Sequence, residues 1–503
     1  MENFCDDILT CLDSANFERK YFADSGASEF EVIVRVGKKM AQAIIGEFGN
    51  FLGTSPNVLV LSGKGHNGAD AIACALEILK LKPDAKISLV CTSEFDKLKP
   101  NTRELARRLM LSFGRVAHLD FSRVSGGSFD LVIDGILGMS FHPPLSEHLR
   151  NCIKIANCID AKLKVSVDLP SGLSDEPCSS ESIFRADVTY MTGIAKLPLF
   201  DSENAKYSGR LRYIDAGFFD ARNSSGKYGI VCDRVLKPLR RLRNFDSDKR
   251  SYGHLFIFGG SANFPGAVLM NVKAALRSGV GLLSAFVPES IAASLAAAEP
   301  ACIWIPCPED SNGALSLESF SEFKRFDGAQ SAILAGSGLS NRPEALALIA
   351  EIAKNTNCPM VLDADAIRLE VVNKLGEREA LITPHMGEFA RIGGKPENLM
   401  EFCSQRKLSA ILKAPISRIC DGDRIACSAN AGPMLSRAGS GDILAGLAAG
   451  LWARRDLHFS AFEAASCASY ILGKCSQLAF EQCSESAFSN SEMFEYIRRV
   501  LND

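Results

Sequence analysis

Apolar positions along the chain change period several times, and those changes predict its elements. Through residues 15–50 they recur at helical spacing, at Phe30, Ile33, Val36, Met40, Ile44 and Ile45, so this stretch reads as helices. Short continuous apolar runs then alternate with helical stretches. Residues 58–62 read as a buried strand that enters a Gly-rich turn over 63–70, with a helix over 71–81. Further strands are expected at 86–91, 129–133, 165–168, 185–192 and 212–215. The period is lost between Phe218 and Tyr252. Ser224-Ser225-Gly226 is a small polar break, 237–243 is a basic run, and 246–250 is charge and serine alone. A domain boundary is expected near 225, and the basic run reads as solvated surface or as a neighbour of a nucleotide phosphate, the first being the commoner case. Alternation resumes with strands at 254–258, 282–287, 331–334, 360–362, 381–382 and 410–413. A helix over 267–278, one beginning near Gly441 and a late helical layer over 461–478 accompany them. Strands separated by helices imply parallel sheets covered on both faces. The motif order differs between the halves, so no internal repeat is read.

Composition narrows the class. At 503 residues the chain exceeds one core, and two or three domains are expected. A net charge of −3 gives no reason to expect nucleic acid or an anionic membrane as partner. The acidic start, Met1 to Asp7, has no basic region of the kind that opens a secretory signal, and no apolar run reaches the ~18 residues of a bilayer span. The 17 cysteines are scattered, without Cys-x-x-Cys pairs or zinc spacing, which predicts reduced thiols and a cytoplasmic location.

Candidate chemistry falls just after the strands, where parallel sheets bind ligands. In the first half these places hold the turn Gly63 to Asp70, then Ile133-Asp134-Gly-Ile-Leu-Gly138, then Val167-Asp168-Leu-Pro-Ser171-Gly-Leu173. The turn is an anion site by position, yet it is neither a P-loop nor a dinucleotide fingerprint. One aspartate after a strand is ordinarily a cap; two beside a glycine turn point to a hard cation or to proton transfer. In the second half the corresponding places hold Gly336 to Leu339, Asp363 and Asp365, Thr383-Pro-His385-Met-Gly-Glu388, Lys413 to Ser417, and Ala438-Gly-Ser-Gly441 followed by Asp442. Taken alone, the last admits two readings. It is a Gly-rich turn with Asp442 as helix cap, or a phosphate cradle whose carboxylate takes a proton from a hydroxyl. Convergence of five loops on one sheet edge favours the cradle.

Two resemblances follow from these motifs. Gly-x-Gly-x-Asn-Gly-x-Asp, Asp-x-x-x-Gly and Val-Asp-Leu-Pro-Ser-Gly, over about residues 10–220, resemble the NAD(P)H-hydrate epimerase domain. The resemblance implies a Rossmann-like three-layer fold, potassium held by Asn67, Asp134 and Ser171, and Asp168 as the proton-shuttling aspartate. It also implies nucleotide contacts at His66, Asn67, Gly68, Ala69 and Asp70, and at Gly138, Met139, Ser140, Phe141, His142, Pro143 and Pro144. Four departures are visible. His66 replaces an asparagine, Ala69 and Ala71 replace glycines, Gly138-Met-Ser stands for Gly-Thr-Gly, and Ile33-Val-Arg-Val-Gly37 lacks the family's helical glutamate. The two added Cβ atoms predict hindered approach of a phosphate. They motivate a further reading in which this domain only binds nucleotide or stabilises an oligomer.

Over about residues 228–485, Asp363-Ala-Asp365-Ala, Thr383-Pro-His385-x-Gly-Glu388 and Gly-Ser-Gly-Asp442-x-Leu-Ala-Gly446 resemble the ribokinase-like superfamily. Within it the match is to the ADP/ATP-dependent NAD(P)H-hydrate dehydratase, with Lys413-Ala-Pro standing where Lys-Gly is usual. This implies that Asp442 takes the proton of the C6 hydroxyl and that Ala267, Gly338 and His385 bind the hydrate. Lys413, Ala414, Pro415, Ile416, Ser417 and Gly441 would bind ADP or ATP, with magnesium on its phosphates. The expected architecture is therefore two three-layer α/β/α domains with mainly parallel sheets, Rossmann-like over 1–225 and ribokinase-like over 226–503. The expected partners are the NADH and NADPH hydrates and ADP or ATP, in a homo-oligomer. The alternative is a vitamin-type small-molecule kinase with a non-catalytic N-terminal domain.

Overall fold

The computed structural model describes residues 4–112, 115–124, 126–219 and 226–502. They form two compact units, one of residues 1–226 with 480–482 and one of 227–479 with 483–503. Ser224 and Ser225 of the polar break lie outside the described residues.

The first unit is built on a seven-stranded, all-parallel sheet. Its strands are β2 (Asn57–Ser62), β3 (Lys86–Cys91), β4 (Val116–His118), β5 (Ser128–Gly135), β6 (Asp160–Val167), β7 (Val188–Thr192) and β9 (Arg210–Ile214), in spatial order β4-β3-β2-β5-β6-β7-β9. Alternate residues of β2 enter two separate cores. Val58 and Val60 pack with helices α2 (Glu29–Leu52) and α3 (His66–Leu81), while Leu59 and Leu61 pack with Ile153 and Ala156 of the Glu147–Cys158 helix. That is the three-layer arrangement expected of a sheet apolar on both faces. A parallel pair, β1 (Cys5–Leu9) with β8 (Ala195–Lys196), and helix α1 (Cys11–Ser25) complete the unit. Neither β1 nor β8 stands out in the sequence, because each is short and carries charge.

One expectation is corrected here. The Gly-rich turn ends at Gly65, and α3 starts at His66 rather than at 71. Ala69 and Ala71 are therefore helical, fully covered and part of the core beneath the sheet. Their Cβ atoms replace space in the interior, so the predicted obstruction does not arise. The glycines that the backbone needs are elsewhere: a Cβ at Gly63 would lie 1.9 Å from the Ile136 carbonyl oxygen.

In the second unit ten strands lie side by side. In chain order they are β10 (Tyr228–Val231), β11 (His254–Phe258), β12 (Leu282–Pro288), β13 (Ile303–Cys307), β14 (Ala332–Ala335), β15 (Met360–Leu362), β16 (Ala380–Ile382), β17 (Ser409–Leu412), β18 (Ser417–Cys420) and β19 (Ile425–Ser428). The spatial order is β13-β12-β11-β14-β15-β16-β17-β18-β19-β10, parallel except where β18 runs against β17 and β19. The segment 228–252 contributes β10 and the 3-10 helix Asp233–Arg240 to this unit. Its basic residues are surface residues with local partners. Arg240 pairs with Asp233 at 2.6 Å, and Arg243 lies 3.9 Å over the Tyr252 ring. At the centre, the Ser440–Ala453 helix packs on the Pro265–Arg277 helix and on β14. A Cβ at Gly446 would fall 2.4 Å from the Asn271 carbonyl oxygen, so glycine sets the closeness of the two helices.

Candidate active sites

The C-terminal ends of β2, β5 and β6 open onto a cleft of about 260 Å³ in the first unit. Three loops shape its floor. Asp134, the fully buried next-to-last residue of β5, accepts from Ser166 Oγ at 2.9 Å, from Ser171 N at 2.9 Å and from Ser171 Oγ at 2.6 Å. Ser171 Oγ in turn accepts from Leu137 N at 2.8 Å, and Asn67 Nδ2 donates to Leu137 O at 2.6 Å. Asn67, Asp134 and Ser171 are thereby gathered around one loop. Burial, only partly offset by these hydrogen bonds, raises the Asp134 carboxyl to about 6. Among the described residues no lysine or arginine pairs with it.

Asp168 follows β6 with φ +68°, a left-handed conformation in which Asp and Asn are among the better-tolerated residues. Its Oδ1 accepts from Lys196 Nζ at 2.5 Å and from Thr192 Oγ1 at 3.2 Å. His66, Asn67 and Asp70 line the cleft from α3, as do Gly138, Met139, Ser140 and Phe141 from the loop after β5. Burial, reinforced by Lys99 and opposed by Glu29, lowers the His66 imidazole below its usual range. Gly68 and Ala69 are buried behind this wall, and His142, Pro143 and Pro144 lie off it, with His142 exposed 3.8 Å from Glu176. The sequence did not single out the cleft-lining Thr192, Lys99 and Glu18 of α1, nor Lys196, which reaches Asp168. Lys196 and Thr192 sit in an apolar run that hides them. Glu18 lies 150 residues before Asp168 and belongs to no motif.

The second site lies at the corresponding edge of the larger sheet. Gly439, with φ +95°, precedes the Ser440–Ala453 helix without a side-chain cap, and Asp442 is in the first turn. Asp442 is therefore not the cap that one reading made of it. The N–H groups of that turn have no helical acceptors. Asn271 Nδ2 holds the Asp442 carbonyl at 2.7 Å, and Asn490 Nδ2 holds the Ala438 carbonyl at 2.8 Å, so both ends of the loop are anchored.

Charged groups converge on this turn. Lys413 Nζ is 3.1 Å from Asp363 Oδ1 and 3.8 Å from Glu388 Oε2, and a Cβ at Gly441 would be 3.3 Å from the same nitrogen. Burial works against the Lys413 charge, but Asp363 and Glu388 outweigh it and raise its pKa. Asp363 is also held by Ser337 Oγ at 2.9 Å and Thr383 Oγ1 at 2.6 Å. The Asp442 carboxyl is pushed up to about 7, by burial first and then by Asp363, against the pull of Ser337 and Lys413. Such a group takes up and releases a proton near neutrality.

The remaining expected residues flank this cluster. A Cβ at Gly338 would be 3.0 Å from Ala267 Cβ, which places those two together. His385 bridges to Lys413 along the strand edge, and its Nδ1 accepts from Gly387 N and Glu388 N at 3.0 and 3.3 Å. Ala414, Pro415 and Ile416 form the connection from β17 to β18, where Ser417 begins. Ser337 and Glu388 enter the electrostatics without having been assigned roles.

Comparison with known proteins finds likenesses in both units. A family model described as NAD(P)H-hydrate dehydratase matches residues 255–499, and one described as YjeF-related protein N-terminus matches residues 30–197. The bifunctional NAD(P)H-hydrate repair enzyme Nnr of Thermosynechococcus vestitus is 31% identical over 425 residues, covering 80% of each chain. Its counterpart in Methanothermobacter thermautotrophicus is 29% identical over 506 residues, covering 95% of this chain and 92% of that one. Among solved structures, the ADP/ATP-dependent NAD(P)H-hydrate dehydratase from Bacillus subtilis co-crystallised with ATP/Mg2+ is 23% identical. It covers 52% of this chain and 94% of that one, with a TM-score of 0.44. Yeast ynu0 is 21% identical over 44% of this chain and 96% of that one, with a TM-score of 0.33.

Proposed function

The chain belongs to the bifunctional NAD(P)H-hydrate repair enzymes, and from that premise we propose how its two sites divide the work. The enzyme interconverts the R and S hydrates of NADH and NADPH and dehydrates the S epimer at the expense of ADP or ATP. Epimerisation belongs to the first cleft and dehydration to the second. The curated relatives span both halves, which does not favour the vitamin-kinase alternative.

The observation that carries the assignment is the Asp442 carboxyl, in the first turn of a helix whose Gly441 lies against the Lys413 ammonium. Asp442 takes the proton from the C6 hydroxyl as that oxygen attacks the terminal phosphorus of the nucleotide. The Ala438–Gly441 amides and the helix N-terminus stabilise the charge on the transferring group, where losing one donor costs ~3 kcal/mol of barrier. Lys413, with Ala414, Pro415, Ile416, Ser417 and Gly441, holds the nucleotide phosphates. Ala267, Gly338 and His385 seat the hydrate; the C6–O bond then breaks with its electron pair leaving on phosphate, and loss of a C5 proton to solvent forms the C5=C6 double bond of the reduced nicotinamide. Magnesium enters with the nucleotide phosphates, as is usual for phosphoryl transfer.

In the first unit Asp168 shuttles a proton during inversion at C6. The oxygens of Asn67, Asp134 and Ser171 suit a potassium ion: all are hard donors, and Asp134 is a buried carboxylate with no cationic side chain paired to it among the described residues. Bound there, potassium would supply fixed positive charge to the cleft. On this reading the protein is cytoplasmic and a homo-oligomer, with reduced thiols. Among the described residues no helix is long and apolar enough to cross a membrane.

The test supplies mixed-epimer NADH hydrate with ADP or ATP and follows the return of reduced-nicotinamide absorbance. Full recovery is expected, and no recovery with either nucleotide overturns the proposal.

A further inference from the structure

Helix α1 has two unlike sides. Phe17, Tyr21 and Phe22 pack with Phe218 and Phe219. Cys11 and Ser14 lie on a covered side that is not apolar, and Ser14 Oγ has no hydrogen-bond partner among the described residues. Glu18 follows Ser14 by one helical turn and so shares its side. The start of the helix is fixed by Asp175, whose carboxylate accepts from Cys11 N at 2.9 Å and Leu12 N at 3.2 Å. Asp175 belongs to the same loop as Asp168 and Ser171, so one loop positions both α1 and the cleft aspartate.

Glu18 lines that cleft with Asp168 and Asp70. The three carboxyls are differently held. Asp168 is ion-paired with Lys196 at 2.5 Å. Asp70 has a buried Oδ1 without a partner among the described residues. Glu18 makes no hydrogen bond or ion pair among the described residues. Half-buried Glu18 thus shares the cleft with the paired Asp168 while engaging no partner of its own.

Resting on the epimerase reading above, we propose that Glu18 is the second acid–base group of the first site, working with Asp168 on the two faces of the C6 centre. In the R-to-S direction the Glu18 carboxylic acid gives its proton to the C6 hydroxyl oxygen. The C6–O bond breaks, its electron pair leaves with the oxygen as water, and the ring-nitrogen lone pair forms a C6=N double bond. A second water attacks C6 from the other face, those π electrons return to nitrogen, and the Asp168 carboxylate takes the proton released. One water leaves and one enters, with no change of oxidation state. Return of the proton from Asp168 to Glu18 through solvent resets the pair, and the S-to-R direction uses the same groups in opposite roles.

The surroundings of Glu18 agree with an acid that holds its proton near neutrality. Burial first, then Asp168 and Glu29, raise its carboxyl to about 7, with Lys196 opposing. The neighbouring Asp70 carboxyl is held well above the carboxylate range by burial and then by Asp168 and Glu18, again against Lys196.

The experiment uses the full chain with ADP and separated epimers. Glu18→Gln should slow consumption of the R hydrate, above its spontaneous inversion, by on the order of 10²-fold. The same sample should consume the S hydrate at the wild-type rate, which also shows that it is folded. In wild type the initial rate of R-to-S inversion, followed without nucleotide, should fall as pH rises through about 7; in Glu18→Gln that fall should vanish, and Glu18→Asp should recover part of the rate. An R-hydrate rate within twofold of wild type, or a loss that keeps the wild-type fall with pH, overturns the proposal. Wild-type protein that consumes the R hydrate no faster than it inverts spontaneously overturns the epimerase reading and this proposal with it.

Discussion

At the residue scale the most telling group is Asp442. Asp442→Asn should abolish dehydration of the S hydrate while the fold survives, since it removes the proton acceptor and keeps the shape. The same substitution should stabilise the protein. An unfolded aspartate titrates near ~3.9, whereas burial carries this one to about 7. The folded state binds the proton more tightly, so ionisation weakens the fold as pH rises from about 4 to 7. The melting temperature of Asp442→Asn should therefore exceed that of wild type at pH 8, with a gap that closes as pH is lowered. Equal melting temperatures at pH 8 would contradict the burial argument. Lys413→Met should raise the KM for nucleotide tenfold or more. It should also cost up to ~3 kcal/mol of stability, because the buried Asp363 loses its cation; denaturant unfolding measures that part. Asp442, Asp168 and Lys413 were legible in the sequence because each sits in a motif directly after a strand. Glu18 and Lys196 were not, since only the tertiary fold brings them to the cleft.

At the element scale the reading succeeded where a strand is a continuous apolar run and failed where it is short or polar. β13, with Trp and Pro in Ile-Trp-Ile-Pro-Cys, and β18, Ser-Arg-Ile-Cys, carry no clean period and are paired by neighbours already in place. The boundary of α3 was misplaced because glycine was read as turn, whereas Gly68 is a helical residue kept small by the Gly63 carbonyl oxygen, 2.3 Å from where its Cβ would be. Glycine thus marked close backbone approach rather than irregular chain. Gly63→Ala should accordingly cost more than Ala69→Gly, which loses ~1 kcal/mol of helix propensity and one buried methyl. Its Cβ would collide with the Ile136 carbonyl, for a loss of ~1–3 kcal/mol or more. Urea unfolding of the two variants decides it, and a small, equal loss in both would refute the steric account.

At the scale of the whole molecule, two chemistries in one chain make the epimers a diagnostic. Asp168→Asn keeps the left-handed backbone at that position, since Asn is tolerated there as Asp is. With mixed hydrate it should restore absorbance only to about half, apart from spontaneous inversion, and leave the R hydrate behind; full recovery at the wild-type rate would remove Asp168 from the mechanism. The buried carboxyl in the first turn of the Ser440–Ala453 helix has a consequence for flux. As a base it works above about 7, so acidification throttles the exit from the S pool. An acid-dependent inversion step gains under the same conditions. Below neutrality the enzyme should equilibrate its two hydrates faster than it drains them, and above neutrality it should drain the S hydrate faster than the R hydrate can replace it. A damaged-cofactor pool sampled during repair would then shift from balanced epimers towards the R form as the medium is made alkaline, and the slow step would change hands between the two units.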